Sequence, residues 1–363
     1  MERKLASIQK IVDIQPIKDA DRIELATTLG WQVVIAKSEN FKIGNLIIYI
    51  ETDSIVPERP EFEFLRERKF RVRTIKLKKT ISQGLILPLS ILPNKNYKEG
   101  QDISELLGIK KYDPQAELEE RLESEKQSRQ KNKIDKFLKR WSWYRKLFGK
   151  KRKGGFPSFI KKTDETRLQT IPHILEEYKN DIFSVSEKLD GTSLTCFMIQ
   201  DKTWYGKKKY TFGVCSRNIY LSKQDTSNYW KIAKKYNIEN VLRNIIGNNK
   251  CVVLQGEIIG AGIQENKYGL KDLDFYAFNL IFDNVKFNNY NARQLLQEQN
   301  IKFVPIINNS FKLKSTVNEM VDYSNGKSLV ATNTLREGIV CRNYEKDISF
   351  KVVSPEFLLK YGE

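Results

Sequence analysis

Apolar residues in the first hundred positions fall into short runs: Trp31 to Ala36 (WQVVIA), Leu46 to Ile50 (LIIYI), Phe70 to Leu77 (FRVRTIKL) and Gly84 to Pro88 (GLILP). Gly30, Gly44-Asn45 and Pro57 separate them. Alternating or continuous apolar runs bounded by turn residues predict the strands of a small all-β barrel over residues 1–108. From Gly155 onward two periods mix. Ile182 to Val185, Leu194 to Met198, Phe212 to Cys215, Cys251 to Leu254, Phe275 to Phe282 and Gly338 to Arg342 have the length and apolarity of strands. Ser227 to Tyr236, Ala292 to Gln299 and Thr316 to Tyr323 have a helical repeat. Without a regular strand-helix-strand beat, this predicts an α+β domain over 155–363. Residues 109–154 differ from both: Glu117 to Lys131 (ELEERLESEKQSRQK) is a highly charged helix former, so a helical linker is expected there.

Charge sharpens the picture. The 363-residue chain carries a formal net charge of +18. Residues 131–153 hold eleven Lys and Arg against one acid, Asp135, and so supply more than half of it. Phe137, Trp141, Trp143, Tyr144 and Phe148 lie among those cations. Cations interleaved with aromatic rings suit phosphate neutralisation combined with base stacking, which makes Lys139, Arg140, Arg145, Lys150 and Lys151 candidate nucleic-acid contacts. A basic helix packed on its own domain or lying on a membrane is the alternative. Lys76, Lys78 and Lys79, with Arg71 and Arg73, give the barrel a basic strand, and Lys76 and Lys78 join the candidates; a solvated edge strand is the competing reading. No apolar run is long enough to span a bilayer and no secretory signal is visible, so an intracellular protein is expected, cytoplasmic or, in a eukaryote, nuclear.

The four cysteines, Cys196, Cys215, Cys251 and Cys341, form no Cys-x-x-Cys pair and read as reduced core residues. The single histidine, His173, has no Ser or Cys partner nearby, which excludes histidine-based acid or base catalysis. Lysine chemistry takes its place. Ser186 to Ser193 (SEKLDGTS) sets a lysine, a carboxylate two residues on and a glycine in one polar turn. An amine nucleophile needs neighbours that depress its pKa and a backbone that substrate can approach closely.

Ordered fragments follow that turn: Ser216-Arg217-Asn218, Gln255 to Gly260 (QGEIIG), Phe275 to Asn279 (FYAFN), Arg336 to Val340 (REGIV) and Phe350 to Ser354 (FKVVS). In this order they resemble the motifs of the covalent nucleotidyltransferases, the superfamily of ATP-dependent DNA ligases, RNA ligases and mRNA capping enzymes. Gly155 to Gln169 (GFPSFIKKTDETRLQ), with Arg73 to Lys79 (RTIKLKK) and Ser82 to Leu85 (SQGL) in the barrel, resembles the RNA ligase branch typified by the Deinococcus and Naegleria enzymes, which carry an N-terminal OB domain. Ile14 to Leu25 (IQPIKDADRIEL) independently resembles tRNA-binding OB modules. The fold implied is an OB-fold barrel followed by an ATP-grasp-like nucleotidyltransferase domain of antiparallel sheets flanked by helices.

The resemblance implies an ATP-dependent RNA ligase that seals 3′-OH/5′-phosphate ends, in nicked or duplex-like RNA, through a lysine-AMP intermediate. Lys188 would be the nucleophile and Lys351 the lysine that contacts the AMP phosphate. Asp190, Glu257 and Glu337 would hold hydrated Mg²⁺ or Mn²⁺, or the ribose. Gly191 and Arg217 would meet the nucleotide, Glu187 would accept from the adenine amino group, and Phe278 or a strand neighbour would stack on the base. No obligate protein partner is implied. One departure stands out. Many relatives have two lysines at alternate positions of the last motif, whereas Ser349 and Val353 flank Lys351, so either one lysine suffices or Lys360 or a basic residue of the linker supplies the second charge. A capping guanylyltransferase or DNA ligase is disfavoured by Glu187 and by the twelve residues after Lys351, too few for a C-terminal OB domain. A non-catalytic tRNA- or RNA-binding OB protein would leave the ordered motifs unexplained.

Overall fold

The computed structural model describes residues 3–93, 96–112, 154–202, 206–223 and 226–361. The charged linker, and with it Lys139, Arg140, Arg145, Lys150 and Lys151, lies outside the described residues.

The N-terminal unit is a nearly closed antiparallel barrel. Its main sheet runs in the order Trp31–Ala36, Ile23–Thr28, Ala6–Pro16, Leu46–Ile50, Leu85–Leu87. The long first strand serves two neighbours: Ala6 to Lys10 pair with Leu46–Ile50, and Ile11 to Pro16 pair with Ile23–Thr28. A register shift between Ile11 and Asp13 marks the change of partner, and such a bulge bends a strand enough to turn a barrel corner. The uninterrupted apolarity of Leu46–Ile50 is explained by two cores. Ile48 and Ile50 pack with Ala6, Ile8 and Phe62, while Ile47 and Tyr49 pack with Trp31, Val33 and Ile86. Lys110–Lys111 pairs with Ser54–Ile55, and Thr74–Leu77 forms a hairpin with Thr80–Gln83.

The C-terminal domain has two sheets. The larger runs Gly154–Gly155, Ile219–Leu221, Lys208–Cys215, Thr192–Lys202, Cys251–Ile259, Asp274–Phe282, Val285–Lys286, with Lys302–Phe303 pairing in parallel beside Asp274–Phe282. Helices Asn228–Lys235, Ile238–Ile245 and Asn289–Glu298 bury their apolar faces in its core. The smaller runs Thr166–Arg167, Ile348–Val353, Gly338–Asn343, Ile182–Lys188, Ile306–Lys312. Three cysteines are buried, Cys251 is partly so, and all four are free. No helix among the described residues is long and apolar enough to cross a membrane.

The barrel docks on residues 167–170. Arg167, on the small sheet, donates to Asp53 Oδ2 at 2.7 Å and to Thr52 Oγ1 at 3.0 Å, and its guanidinium lies 5.7 Å from the Trp31 ring centroid. Thr170 donates to Glu51, and Gly30 N–H to the Gln169 carbonyl. Arg71, from the barrel, also pairs with Asp53 at 3.2 Å. Removing one member of such a buried ionic group leaves its partner without compensation, a loss of about 3–5 kcal/mol for a single buried pair. The barrel thereby contributes Arg3, Arg71 and Arg73 to the lining of the cavity described next.

Candidate active site

Lys188 ends the strand Ile182–Lys188 of the small sheet, and Thr192 begins the strand Thr192–Lys202 of the large one. The turn Leu189-Asp190-Gly191 therefore crosses between the sheets, and the cavity of about 530 Å³ lies where they meet. Gly191 is required by space: a Cβ there would come within 2.3 Å of the Ile258 carbonyl oxygen. The same strands deliver the other motifs. Lys188 is in register with Gly338, which places Glu337 beside it, and Lys351 is opposite Val340. Ser193 is opposite Glu257.

Lys188 Nζ donates to both oxygens of Glu337, at 2.6 and 2.5 Å. Burial works against its charge, but the Glu337 and Glu257 carboxylates hold the ammonium above its ordinary pKa. The sequence argument for a depressed lysine pKa thus does not describe this state: its neighbours at the amine are anions. Burial also pushes the Glu257 carboxyl up to about 8, with Glu337 and Asp190 adding like-charge repulsion against the pull of Lys188. A carboxylate group that resists its own charge fits a divalent cation. No three His, Cys, Asp or Glu side chains among the described residues converge closely enough to ligate one ion directly. The donor set fits Mg²⁺ or Mn²⁺ held largely through water, by hard oxygen ligands.

Asp190 is already engaged. Its Oδ2 accepts from Lys267 Nζ at 2.6 Å, and its backbone N–H donates to Tyr268 Oη at 2.8 Å. Lys267 is almost fully buried and lies 5.0 Å from the Phe357 ring centroid. The loop around Lys267 thus clamps the Lys-Leu-Asp-Gly turn, a role no motif in the sequence announced.

Cations collect around Lys351. Arg3, Arg71, Arg73 and Lys111 of the barrel line the cavity with Arg167 and Arg217. Asp164 pairs with Arg217 at 2.5 Å, Lys111 at 2.8 Å and Lys351 at 3.8 Å. Despite burial, Lys351 and Arg217 hold its carboxyl far below the usual carboxylate range. Nε of Arg71 and Nε of Arg167 are buried and make no hydrogen bond among the described residues. Unpaired buried guanidinium nitrogens beside several cations suit an incoming phosphate chain. Val353 lines the cavity without a charge, and Ser349 donates to Glu165. The described cations whose charges act on Lys351 are Lys188, Arg167 and Arg3, and the linker cations lie outside the described residues. Lys360 does not line the cavity; its Nζ lies over the Tyr361 ring. The expectation for Lys360 is corrected, because its helix, Pro355–Tyr361, turns it outward.

Burial lowers the Lys351 pKa to about 7, with the charges of Lys188, Arg167 and Arg3 lowering it further and Asp164 opposing. The ordinary value is near 10.4. Below pH 7 the folded protein carries the full cost of that charge. Between about pH 7 and 10 the folded state sheds the proton first, and the cost is relieved. Lys351→Met is thus expected to stabilise the fold at pH 6 by on the order of 2 kcal/mol, raising Tm by several degrees, with the gain shrinking by pH 9. Thermal melts at the two pH values check this, and a lower Tm than the parent at pH 6 would contradict it.

Glu187 and Phe278 also line the cavity. Glu187 is 1% exposed; its Oε2 accepts from Leu329 N–H at 2.8 Å, and its Oε1 has no partner. Burial raises its pKa, against the opposing influence of nearby Ser328 and the hydrogen bond from Leu329. Phe278 lines the cavity, whereas Phe275 is fully buried beneath Gly256. The register explains the choice: Gln255 pairs with Asn279 and Gly256 with Ala277, so Phe278 is the bulged residue. Of the barrel cations, Arg71 and Arg73 line the cavity, while Lys76 and Lys78 stand on the exposed hairpin away from it.

A barrel fused to a two-sheet domain, with a Lys-x-Asp-Gly lysine between carboxylates and phosphate-binding cations, is the architecture of a nucleotidyltransferase-type ligase. Family models for an OB-fold domain and for RNA ligase match residues 5–89 and 181–361. The chain belongs to the RNA ligase family. Naegleria gruberi RNA ligase with pyrophosphate is 31% identical at TM-score 0.78, with 98% of each chain covered. A mutant of that enzyme with ATP and Mn is 30% identical at TM-score 0.77, again with 98% of each chain covered. An apo mutant is 30% identical at 0.77, covering 98% of this chain and 97% of the other. No curated protein sequence matches.

Proposed function

We propose that this protein joins RNA 3′-OH and 5′-phosphate ends with ATP, through AMP carried covalently on Lys188. The observation that carries the reading is the polarity of the cavity: carboxylates surround the lysine, cations surround Lys351, and Glu187 offers an unpaired acceptor.

Lys188 Nζ attacks the α-phosphorus of ATP; the bond to the β-phosphate oxygen breaks, and a phosphoramidate forms as pyrophosphate leaves. For that attack Lys188 must lose the proton that Glu337 and Glu257 now stabilise. Mg²⁺ or Mn²⁺, when bound by Glu257, Glu337 and Asp190 through water, supplies positive charge at the α-phosphate. Lys351 and Arg217 neutralise the phosphoryl oxygens. Arg167, Arg71 and Arg3 receive the pyrophosphate. Glu187 Oε1 accepts from the adenine amino group, and Phe278 stacks on the ring. An RNA 5′-phosphate oxygen then displaces Lys188 from the AMP phosphorus, and the 3′-OH displaces AMP to close the phosphodiester.

The substrate is nicked duplex or duplex-like RNA, with the cation- and aromatic-rich residues 131–153 gripping the strands. Deletion of 131–153 is expected to weaken nick binding about tenfold or more and to flatten its salt dependence, leaving self-adenylylation largely intact. Filter binding across a salt series and labelled-ATP assays check it; equal loss of both activities would show a purely structural segment. Sealing of a nicked RNA duplex, compared with unannealed strands, tests the substrate: no preference for the nick would overturn the duplex reading.

A further inference from the structure

The face of the small sheet that carries Lys188 continues past the active site. Side chains alternate along a strand, so Ser184, Ser186 and Lys188 share one face, with Ser184 about 13 Å from Lys188. Arg342 pairs in register with Ser184. Arg342 lines the ATP-sized cavity and also a second one, of about 610 Å³, on the far side of it. It is 4% exposed; its guanidinium reaches Ser186 and Glu165 only at 3.4 Å, and its Nε has no hydrogen-bond partner. A buried cation with a spare donor thus forms the shared wall of the two cavities.

The second cavity is lined largely by amides and hydroxyls, several joined in one chain, with Glu345 and Asp181, the latter paired with Lys346 at 2.7 Å, also in its wall. Tyr344 Oη donates to Asn289 Oδ1, Asn289 Nδ2 donates to Ser184 Oγ at 2.9 Å, and Ser184 Oγ donates to Asn309 Oδ1 at 2.9 Å. Asn289, 2% exposed, fixes the chain from beneath. The chain ends on the exposed Asn309, whose Nδ2 makes no hydrogen bond among the described residues. At the rim the Tyr290 ring is 69% exposed. A positioned amide donor, a hydroxyl and a free aromatic face match a ribose 2′-hydroxyl with its base. A carboxamide chain is unsuited to a triphosphate, which calls for cations.

We infer that this second cavity is a ribonucleotide subsite, in which Ser184 and Asn309 engage the 2′-hydroxyl of an RNA residue close to the joint. The inference rests on the RNA-ligase reading above and adds a place where the protein recognises ribose. Arg342 reaches the phosphate between this nucleotide and the reacting end.

The test uses the full chain and nicked RNA duplexes in which each of the three nucleotides on either side of the joint is, in turn, 2′-deoxy. The parent is expected to show about a five- to tenfold higher KM for one of these duplexes, the effect of one lost hydrogen bond. Ser184→Ala/Asn309→Ala should show that higher KM on all-RNA nicks and no further penalty for the deoxy position. Asn309→Asp, which sets a carboxylate beside the strand, should raise KM at least as much. Self-adenylylation with ATP, which involves no RNA, reports on the intact active site. Parent KM in both variants, or a deoxy penalty that survives in them, overturns the subsite. A parent protein that neither self-adenylylates nor seals would instead overturn the ligase reading.

Discussion

Lys188→Ala is expected to abolish self-adenylylation and sealing of ordinary 5′-phosphate nicks, a loss of about 10⁴-fold or more, because it removes the amine that would carry AMP. Among the described residues no second amine is so placed. Lys351 faces Asp164 and the phosphate-binding cations, and Lys267 is committed to Asp190. The same variant should still seal a nick whose 5′ end already carries AMP, since that substrate needs only the final displacement. Alanine removes an ion pair that is partly exposed on the lysine side, so the fold should survive. Single-turnover assays on both substrates separate the outcomes. Equal loss on the pre-adenylylated nick would assign Lys188 a structural role.

Glu337→Ala should lower the rate of self-adenylylation by about 10²- to 10³-fold, the second largest effect expected. Among the described residues Glu337 alone grips Lys188 by two hydrogen bonds, and it stands just before Gly338–Asn343, where the lysine strand is in register. Gly338 tolerates no side chain, because a Cβ would lie 2.2 Å from the Val352 carbonyl oxygen; Glu337 is thereby locked against the nucleophile. Without it, Lys188 loses its guide and the carboxylate set loses a hard ligand. Rapid-quench measurement of label transfer from ATP, with melts to confirm folding, checks this. A folded variant that reacts at the parent rate would remove Glu337 from the chemistry.

Much of this site was legible in the sequence because the motifs sit on strands. Ile182–Lys188 and Cys251–Ile259 extend the predicted strands by three and five residues toward the cavity, while Gly338–Asn343 adds only Asn343, at its far end. The two extensions carry Lys188 and Glu257, and Glu337 stands just before Gly338; all three are too polar for a hydrophobic pattern to include. The helix Ile238–Ile245 was legible but not predicted: Ile238, Val241, Leu242 and Ile245 have helical spacing, and only Tyr236 and the left-handed Asn237 separate it from its predecessor. Ile306–Lys312 was not legible, since its exposed Asn308, Asn309 and Ser310 break any alternation. Arg167, Arg3 and Lys267 could not be ranked from the sequence. Their roles come from ionic contacts with Asp53, Glu51 and Asp190 across long stretches of chain, and such contacts leave no periodicity.

The central claim is that Lys188 accepts AMP. The direct test incubates the purified chain with Mg²⁺ and either ATP or GTP labelled at the α-phosphate, denatures it, and maps the adduct by peptide mass spectrometry. The account predicts an acid-labile AMP adduct on the peptide that contains Lys188, formed with ATP and barely with GTP because Glu187 accepts from an amino group. No adduct, or an adduct on another residue, would contradict it.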